Sequence, residues 1–338
     1  MADYKGIKGF TIPTVSSDPS NLIIGQMWYN STTDTLKGAT VGGGTWASGG
    51  NLNAARSGRG AAGTQTAGIA FGGWYPTTST HASTEKYDGS TWTEVEDLNT
   101  ARASLGGASN GSQTASLAFG GTTGPGPVAT SYVVISESYN GTSWAEGNDL
   151  LGSKAYGGGS GTQVAALAIG TAGPPIAGIV EAYDGTSWTE VNDLNTGRNF
   201  NVGCGTQTAS LTFQGGTAPP GGTNTANVEL YNGTTWTEVN DLNTARNAGG
   251  GGGISTAAIT FGGYVAALSA ATESYNGTSW TTAADLATAR NRIAGAGSTA
   301  GATAALGIGG QSPPVTPVTT NVEEWNVSDI TTVTVTTS

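Results

Sequence analysis

Apolar and polar residues alternate over short segments along most of the chain, and tight turns separate these segments. One example runs from residue 82 to 97, where Tyr87 and Trp92 flank an Asp88-Gly89 turn. Alternation with a period of two predicts half-buried β-strands, and Asp-Gly or Asn-Gly between two such segments is typical of a β-hairpin. The pattern therefore predicts an all-β protein.

This pattern returns six times after residue 45. Each repeat begins at a Trp, and each Trp lies 44 to 52 positions after the previous one. An L-x-x-x-[RK] segment, a glycine-rich run, a short apolar strand ending at glycine, a variable loop and Glu-x-[Tyr/Trp] follow in order. A period of this length is typical of β-propeller blades. In the first complete repeat, strands are predicted near residues 57–64, 66–72, 82–87 and 91–97.

Three residue types occupy equivalent positions in all six repeats. We expect the aromatic rings to be buried between neighbouring sheets. Each glutamate is predicted to pair with a basic residue, or the basic residue to bond a carbonyl, which would tie the sheets together. The tryptophans are Trp46, Trp92, Trp144, Trp188, Trp236 and Trp280; the basic residues are Arg56, Arg102, Lys154, Arg198, Arg246 and Arg290; the glutamates are Glu85, Glu137, Glu181, Glu229, Glu273 and Glu323.

The double glycine, Glu-x-Tyr, Trp and later Arg resemble the kelch repeat over residues 46–326. The resemblance implies a six-bladed, kelch-like β-propeller of four-stranded blades, which we expect to span residues 45–338. Because the repeat is out of phase with the blade by one strand, residues 45–51 are predicted to close the last blade. The alternative is closure by residues 330–337, and whether residues 327–338 join that blade stays open.

Residues 1–44 lie outside the repeats. Alternating apolar residues around Ser31-Thr32-Thr33-Asp34 predict a β-hairpin. The run G-Q-M-W-Y-N-S-T-T-D-T-L-K, residues 25–37, resembles a short module of tailed-bacteriophage virion proteins, especially fibre and appendage proteins. This resemblance implies that residues 1–44 form an attachment arm that contacts other virion proteins.

Composition argues against several classes of function. The net charge of −11, with only 12 Lys and Arg, leaves no basic patch for nucleic acid or anionic lipid. We find no apolar leader segment, so neither secretion nor membrane insertion is expected. Some kelch-like propellers are copper oxidases, but His81 and Cys204 are the sole residues of their types. We therefore expect no metal and no cofactor, with Cys204 buried and His81 in a solvated loop.

Acidic residues are the remaining candidates for catalysis. Glu94, Glu96 and Asp97 form a cluster, but similar residues recur as Glu190 with Asp193 and as Glu238 with Asp241. Recurrence around a ring favours a scaffold, because a catalytic pair for glycoside hydrolysis would be unique. The sequence therefore predicts a protein that is not an enzyme.

The loops between the second and third strands differ in length and content, and they would share one face of a propeller. Aromatic residues there can stack on sugars or pack on protein, and prolines reduce the entropy lost on ordering. The candidate contact surface comprises Trp74, Tyr75, Tyr132, Pro174, Pro219, Tyr264 and Pro313.

These features predict a non-enzymatic virion structural protein of a tailed phage, either a tail or neck fibre, an appendage or a capsid decoration protein. It would be assembled in the host cytoplasm, and its variable face would bind a host-surface glycan or protein. A cytoplasmic protein-interaction scaffold and a glycan-processing enzyme are the alternatives. Position on the virion, copy number, oligomeric state and receptor stay open.

Overall fold

The computed structural model describes residues 12–21, 26–40, 43–75, 79–124, 132–171, 177–217, 223–297, 302–312, 318–327 and 331–335. The chain divides into two compact units. The larger unit is Thr45–Asn326, and the smaller one combines Met1–Gly44 with Val327–Ser338. The C-terminal segment thus belongs with the N-terminal residues, and not with the repeats as the predicted range 45–338 had it.

The first two repeats, and the strand that precedes them, form short strands. These are β4 (Gly44–Ser48), β5 (Gly60–Thr64), β6 (Ala67–Phe71), β7 (Thr84–Tyr87), β8 (Trp92–Val95), β9 (Gly106–Gly107), β10 (Ser116–Phe119), β11 (Ser136–Tyr139) and β12 (Trp144–Glu146).

The later repeats have the same order of strands. They contain β13 (Gly158–Thr162), β14 (Ala165–Thr171), β15 (Ala177–Tyr183), β16 (Trp188–Val191), β17 (Val202–Thr206), β18 (Ala209–Phe213), β19 (Val228–Tyr231), β20 (Trp236–Val239), β21 (Gly250–Ile254), β22 (Ala257–Phe261), β23 (Thr272–Tyr275), β24 (Trp280–Ala283), β25 (Ala294–Gly297), β26 (Ala304–Ile308) and β27 (Val322–Val327). The smaller unit contains β1 (Thr14–Val15), β2 (Met27–Asn30), β3 (Thr35–Thr40) and β28 (Thr331–Thr334).

The described strands form seven four-stranded sheets, so the predicted number of six is wrong. In the repeats, the orders are β5-β6-β7-β8, β9-β10-β11-β12, β13-β14-β15-β16, β17-β18-β19-β20, β21-β22-β23-β24 and β25-β26-β27-β4. The last of these joins strand Gly44–Ser48 to the end of the repeats. The seventh sheet, β1-β2-β3-β28, arises because β28 adds to the N-terminal hairpin and β1 pairs with β2 in parallel.

The core of the larger unit lies between adjacent sheets. Within a sheet, Tyr and Trp face each other across the third and fourth strands, as Tyr139 does with Trp144. The Trp144 ring also meets Phe71 of the preceding sheet edge-on, with 4.9 Å between ring centroids. Trp188, Trp280 and Trp46 pack in the same way. Burial of each such ring contributes roughly 1.5–3 kcal/mol, which stabilises the contacts between sheets.

The sheet of the smaller unit is held by one carboxylate. Asp18 accepts hydrogen bonds from Trp28 Nε1 at 3.0 Å, Asn30 Nδ2 at 2.7 Å and Lys37 Nζ at 2.7 Å. These bonds, the one from Lys37 first, lower the pKa of Asp18 to about 2. Asp18 therefore joins the segment before β2 to both strands of the hairpin.

Among the residues that the structure describes, no helix has the length and apolar character needed to cross a bilayer.

Candidate functional site

The six basic residues and six glutamates singled out in the repeats lie in pairs. Their nitrogen–oxygen distances run from 2.5 to 3.3 Å, and all twelve side chains are buried. Arg102 Nη2 donates to Glu137 Oε1, and its Nη1 donates to the carbonyls of Gly120 and Ile135. Asn99 donates its backbone N–H and its amide to the other carboxylate oxygen of Glu137. The pairs therefore fix the segment that connects two sheets.

A cycle of backbone hydrogen bonds lies two residues beyond the basic positions. Its members all have φ between 50° and 60°, in the left-handed region. Each N–H donates to the carbonyl of the member in the preceding repeat, at 2.5 to 3.3 Å, and Gly58 closes the cycle on Arg292. The members of this backbone cycle are Gly58, Ser104, Tyr156, Phe200, Ala248 and Arg292. The left-handed conformation costs a non-glycine residue about 1–2 kcal/mol, and the closed cycle offsets that cost.

Two adjoining cavities lie at the centre, one at the cycle and one at the innermost strands. One has a volume of about 100 Å³ and is lined by the cycle and the residues that follow it. The other, of about 120 Å³, is lined by glycines of the innermost strands. A Cβ on Gly159 would lie 2.3 Å from the carbonyl oxygen of Gly107 in the adjacent sheet. The glycine-rich runs thus allow the innermost strands to approach closely around a narrow centre.

An aromatic–arginine cluster lies at the cycle, comprising Trp74, Tyr132, Tyr156, Phe200 and Arg292. The guanidinium carbon of Arg292 lies 4.7 Å from the Trp74 ring centroid and 5.6 Å from that of Phe200. Tyr156 lies 4.5 Å from Phe200 and 6.3 Å from Tyr132, between ring centroids. Trp74 and Tyr156 are buried, whereas Tyr132, Phe200 and Arg292 are half-buried. The three half-buried side chains therefore form the accessible part of the cluster.

The cavity of about 100 Å³, here called the cycle cavity, contains positive charge that no carboxylate compensates. Of the arginines in the described ranges, Arg59 and Arg292 have no carboxylate in an ion pair, and both line this cavity. Arg59 Nη2 donates to the carbonyls of Arg56 and Ile308, while its Nε and Nη1 are buried without a partner. Arg292 Nη1 is also buried without a partner. Burial lowers the pKa of both guanidiniums.

Solved structures identify the fold. The structure of YjhT superposes on this chain with a TM-score of 0.65, and it covers 84% of this chain and 99% of YjhT. The fold is a β-propeller. Sequence identity to YjhT is 13%, so the similarity concerns the fold alone. No protein-family model and no curated protein sequence matches the chain.

The propeller brings two of the predicted contact residues together. Trp74 and Tyr132 belong to the aromatic–arginine cluster. Tyr75 instead packs beside His81, with 5.5 Å between ring centroids, and Tyr264 is 42% exposed in a separate loop. Three further predicted contact residues lie outside the described residues, namely Pro174, Pro219 and Pro313.

Sequence reasoning missed Tyr156, Phe200 and Arg292. They lie in glycine-rich segments that were expected only to pack against each other, and they come from three different repeats. One signal could have found them. The position two residues beyond the basic residue holds Gly, Ser, Tyr, Phe, Ala and Arg in turn, and the next position varies as well, whereas a basic residue recurs in every repeat.

Recurring acidic residues have a structural role in the propeller. The carboxylate of Asp97 accepts a hydrogen bond from the backbone N–H of Thr84. Equivalent bonds join Asp193 to Val180, Asp241 to Val228 and Asp285 to Thr272.

Within the described ranges, no three His, Cys, Asp or Glu side chains form a group suited to a metal ion. Cys204 is buried in the core, which raises its pKa to about 12.

Proposed function

We propose that this chain is a non-enzymatic attachment protein of a tailed-phage virion, and that its propeller binds a host-surface glycan through the aromatic–arginine cluster. The variation at the backbone cycle carries this proposal. The buried glutamates and basic residues that hold the scaffold recur in every repeat, yet side chains on the cycle range from none at Gly58 to a guanidinium at Arg292. Contact with a ligand would account for Phe200 and Arg292 at positions where other repeats have Gly58 or Ala248.

The chemistry of the cluster suits a sugar. Binding sites for small ligands combine aromatic surface with a few convergent polar groups. Here Tyr132 and Phe200 are half-buried and offer apolar surface, and Arg292, which lies against Phe200, offers N–H donors. Trp74 and Tyr156 are buried behind these three and hold them in place.

The virion part of the proposal is supported by the smaller unit. Its β2–β3 hairpin includes the segment that resembles a phage virion module, and Asn30 caps the turn by accepting hydrogen bonds from the N–H groups of Thr32 and Thr33. This compact unit, which the repeats do not include, suits attachment to other virion proteins.

A glycan array tests the binding function. We expect the full chain to bind a subset of glycans and Phe200→Ala to lose that binding. Alanine fits the backbone there, because Ala248 occupies an equivalent left-handed position. Tyr264→Ala is the matched control, since it removes an exposed aromatic ring outside the cluster, and we expect it to bind as the parent does. Binding that survives Phe200→Ala would refute the assigned surface.

Mass spectrometry of purified phage particles tests the location. We expect peptides of this chain at a fixed ratio to those of other virion proteins. Their absence from the particles would refute the virion role, whatever the array shows.

A further inference from the structure

Arg292 is oriented for an anion. Its guanidinium lies between Trp74 and Phe200, and its Nη1 is buried without a partner. A guanidinium held against aromatic rings keeps its N–H edge available, and carboxylates accept from that edge in charge-assisted hydrogen bonds. Five buried arginines of this chain each pair with a glutamate, whereas Arg292 has aromatic rings beside it instead.

A second cation strengthens the site. Arg59 lines the same cavity, is 5% exposed and has two nitrogens without a partner. The equivalent positions in the other five repeats hold Leu105, Gly157, Asn201, Gly249 and Ile293, so the arginine is not a requirement of the repeat. The propeller therefore places two unpaired guanidiniums at its centre, although the chain as a whole has a net charge of −11.

The size of the cavity limits what can enter. A water molecule needs about 10–15 Å³ of such volume, so a cavity of about 100 Å³ has room for a carboxylate and a few waters. The ring of a ligand would remain outside, against the half-buried faces of Tyr132 and Phe200.

We propose that the aromatic–arginine cluster binds a carboxylated sugar of the uronic acid type, with the carboxylate on Arg292 and the ring against Phe200 and Tyr132. This inference rests on the proposed function and narrows its ligand class. A neutral sugar would leave the Arg292 donors unpaired, and a simple inorganic anion would leave the aromatic faces uncovered.

Isothermal titration of the full chain with sodium D-glucuronate tests this inference. Glucose matches the ring without the carboxylate, acetate matches the carboxylate without the ring, and inorganic phosphate reports a general anion site. We expect glucuronate to bind at least about tenfold more tightly than each of the other three, because a charge-assisted hydrogen bond contributes a factor of that order. Added salt should weaken glucuronate binding. Equal affinities for glucuronate and glucose, or tighter binding of phosphate, would overturn the proposal.

Variants locate the site. Arg292→Ala should weaken glucuronate binding at least about tenfold and leave the weak glucose binding unchanged, while Tyr264→Ala should change neither. Circular dichroism verifies that each variant is folded. Arg292→Lys provides a second readout, since it keeps the positive charge but loses the paired N–H donors of the guanidinium. Undiminished glucuronate binding by Arg292→Ala would refute the assignment. If the array instead shows neutral glycans bound through Phe200, this inference fails while the proposed function stands.

Discussion

Arg292 lies against the face of Trp74, although 217 residues separate them in the chain, and the guanidinium carbon is 4.7 Å from the ring centroid. Trp74 follows the double glycine of the first complete repeat, and Arg292 is the last member of the backbone cycle. The contact thus joins the two ends of the repeats at the centre of the propeller. Such cation–π contacts contribute about 0.5–2 kcal/mol, more when both groups are shielded from water.

Trp74→Ala should remove the surface that holds Arg292. We expect it to destabilise the propeller by about 3–5 kcal/mol, the usual cost of deleting a buried large aromatic side chain. Trp74→Phe should lose less, because a ring remains beneath the guanidinium. Urea unfolding measures both variants. Equal stability of Trp74→Ala and the parent would show that the ring does not support Arg292.

Glu137→Gln should be strongly destabilising. The substitution leaves the buried Arg102 guanidinium without its carboxylate, and breaking a buried ion pair in this way costs about 3–5 kcal/mol. Glu146, which faces Glu137 across β11 and β12, is exposed and provides the matched control. Glu146→Gln should change the free energy of unfolding by less than about 0.5 kcal/mol. Urea unfolding measures the free energy of unfolding of both variants. Similar losses for Glu137→Gln and Glu146→Gln would contradict a structural role for the buried pair.

The backbone cycle predicts opposite effects for two reciprocal substitutions. Gly58→Ala should destabilise by about 1 kcal/mol, because alanine is strained at a φ of 60°. Space is not the cause, since the new Cβ would lie 3.4 Å from its nearest neighbour, Ser104 Oγ. Ala248→Gly should stabilise by a similar amount, for it relieves strain at a φ of 53°. Thermal unfolding measures both, and a stabilising Gly58→Ala would show that the left-handed cycle does not persist in solution.

The smaller unit should respond to acid through Asp18. A pKa lowered from 3.8 to about 2 means that this carboxylate contributes stability above pH 3.8, and that the contribution is lost as the pH falls towards 2. Hydrogen exchange of residues 26–40, corrected for intrinsic rates, should therefore lose protection over that range. Asp18→Asn should already be less protected at neutral pH and should lack this transition. An unchanged transition in Asp18→Asn would assign it to another group.

Much of the propeller could be predicted from the sequence because its determinants are local or repeat. Turns like Asp88-Gly89 recur in five repeats, and the order of Trp, basic residue and glutamate recurs in all six, so the strands could be placed from them. The number of sheets could not be predicted in this way. The alternation of Thr and Val in β28 predicts a strand, but it does not indicate which strand is the neighbour. In the structure, β28 pairs with β3.

The candidate site was harder to predict than the fold. Left-handed backbone at Tyr156 and Phe200 has no glycine to indicate it, since the conformation is imposed by hydrogen bonds between repeats. Trp74 could be recognised as a loop aromatic residue, but its contact with Arg292 depends on closure of the ring. Residues far apart in sequence therefore form a site that no local motif indicates.

The most direct test of the ligand site is a crystal structure of the full chain with D-glucuronate. We expect the carboxylate oxygens to lie about 2.7–2.9 Å from the Arg292 guanidinium nitrogens, with the sugar ring against Phe200 and Tyr132. A ligand found instead on the separate loop aromatics Tyr75 or Tyr264, with Arg292 unoccupied, would contradict it.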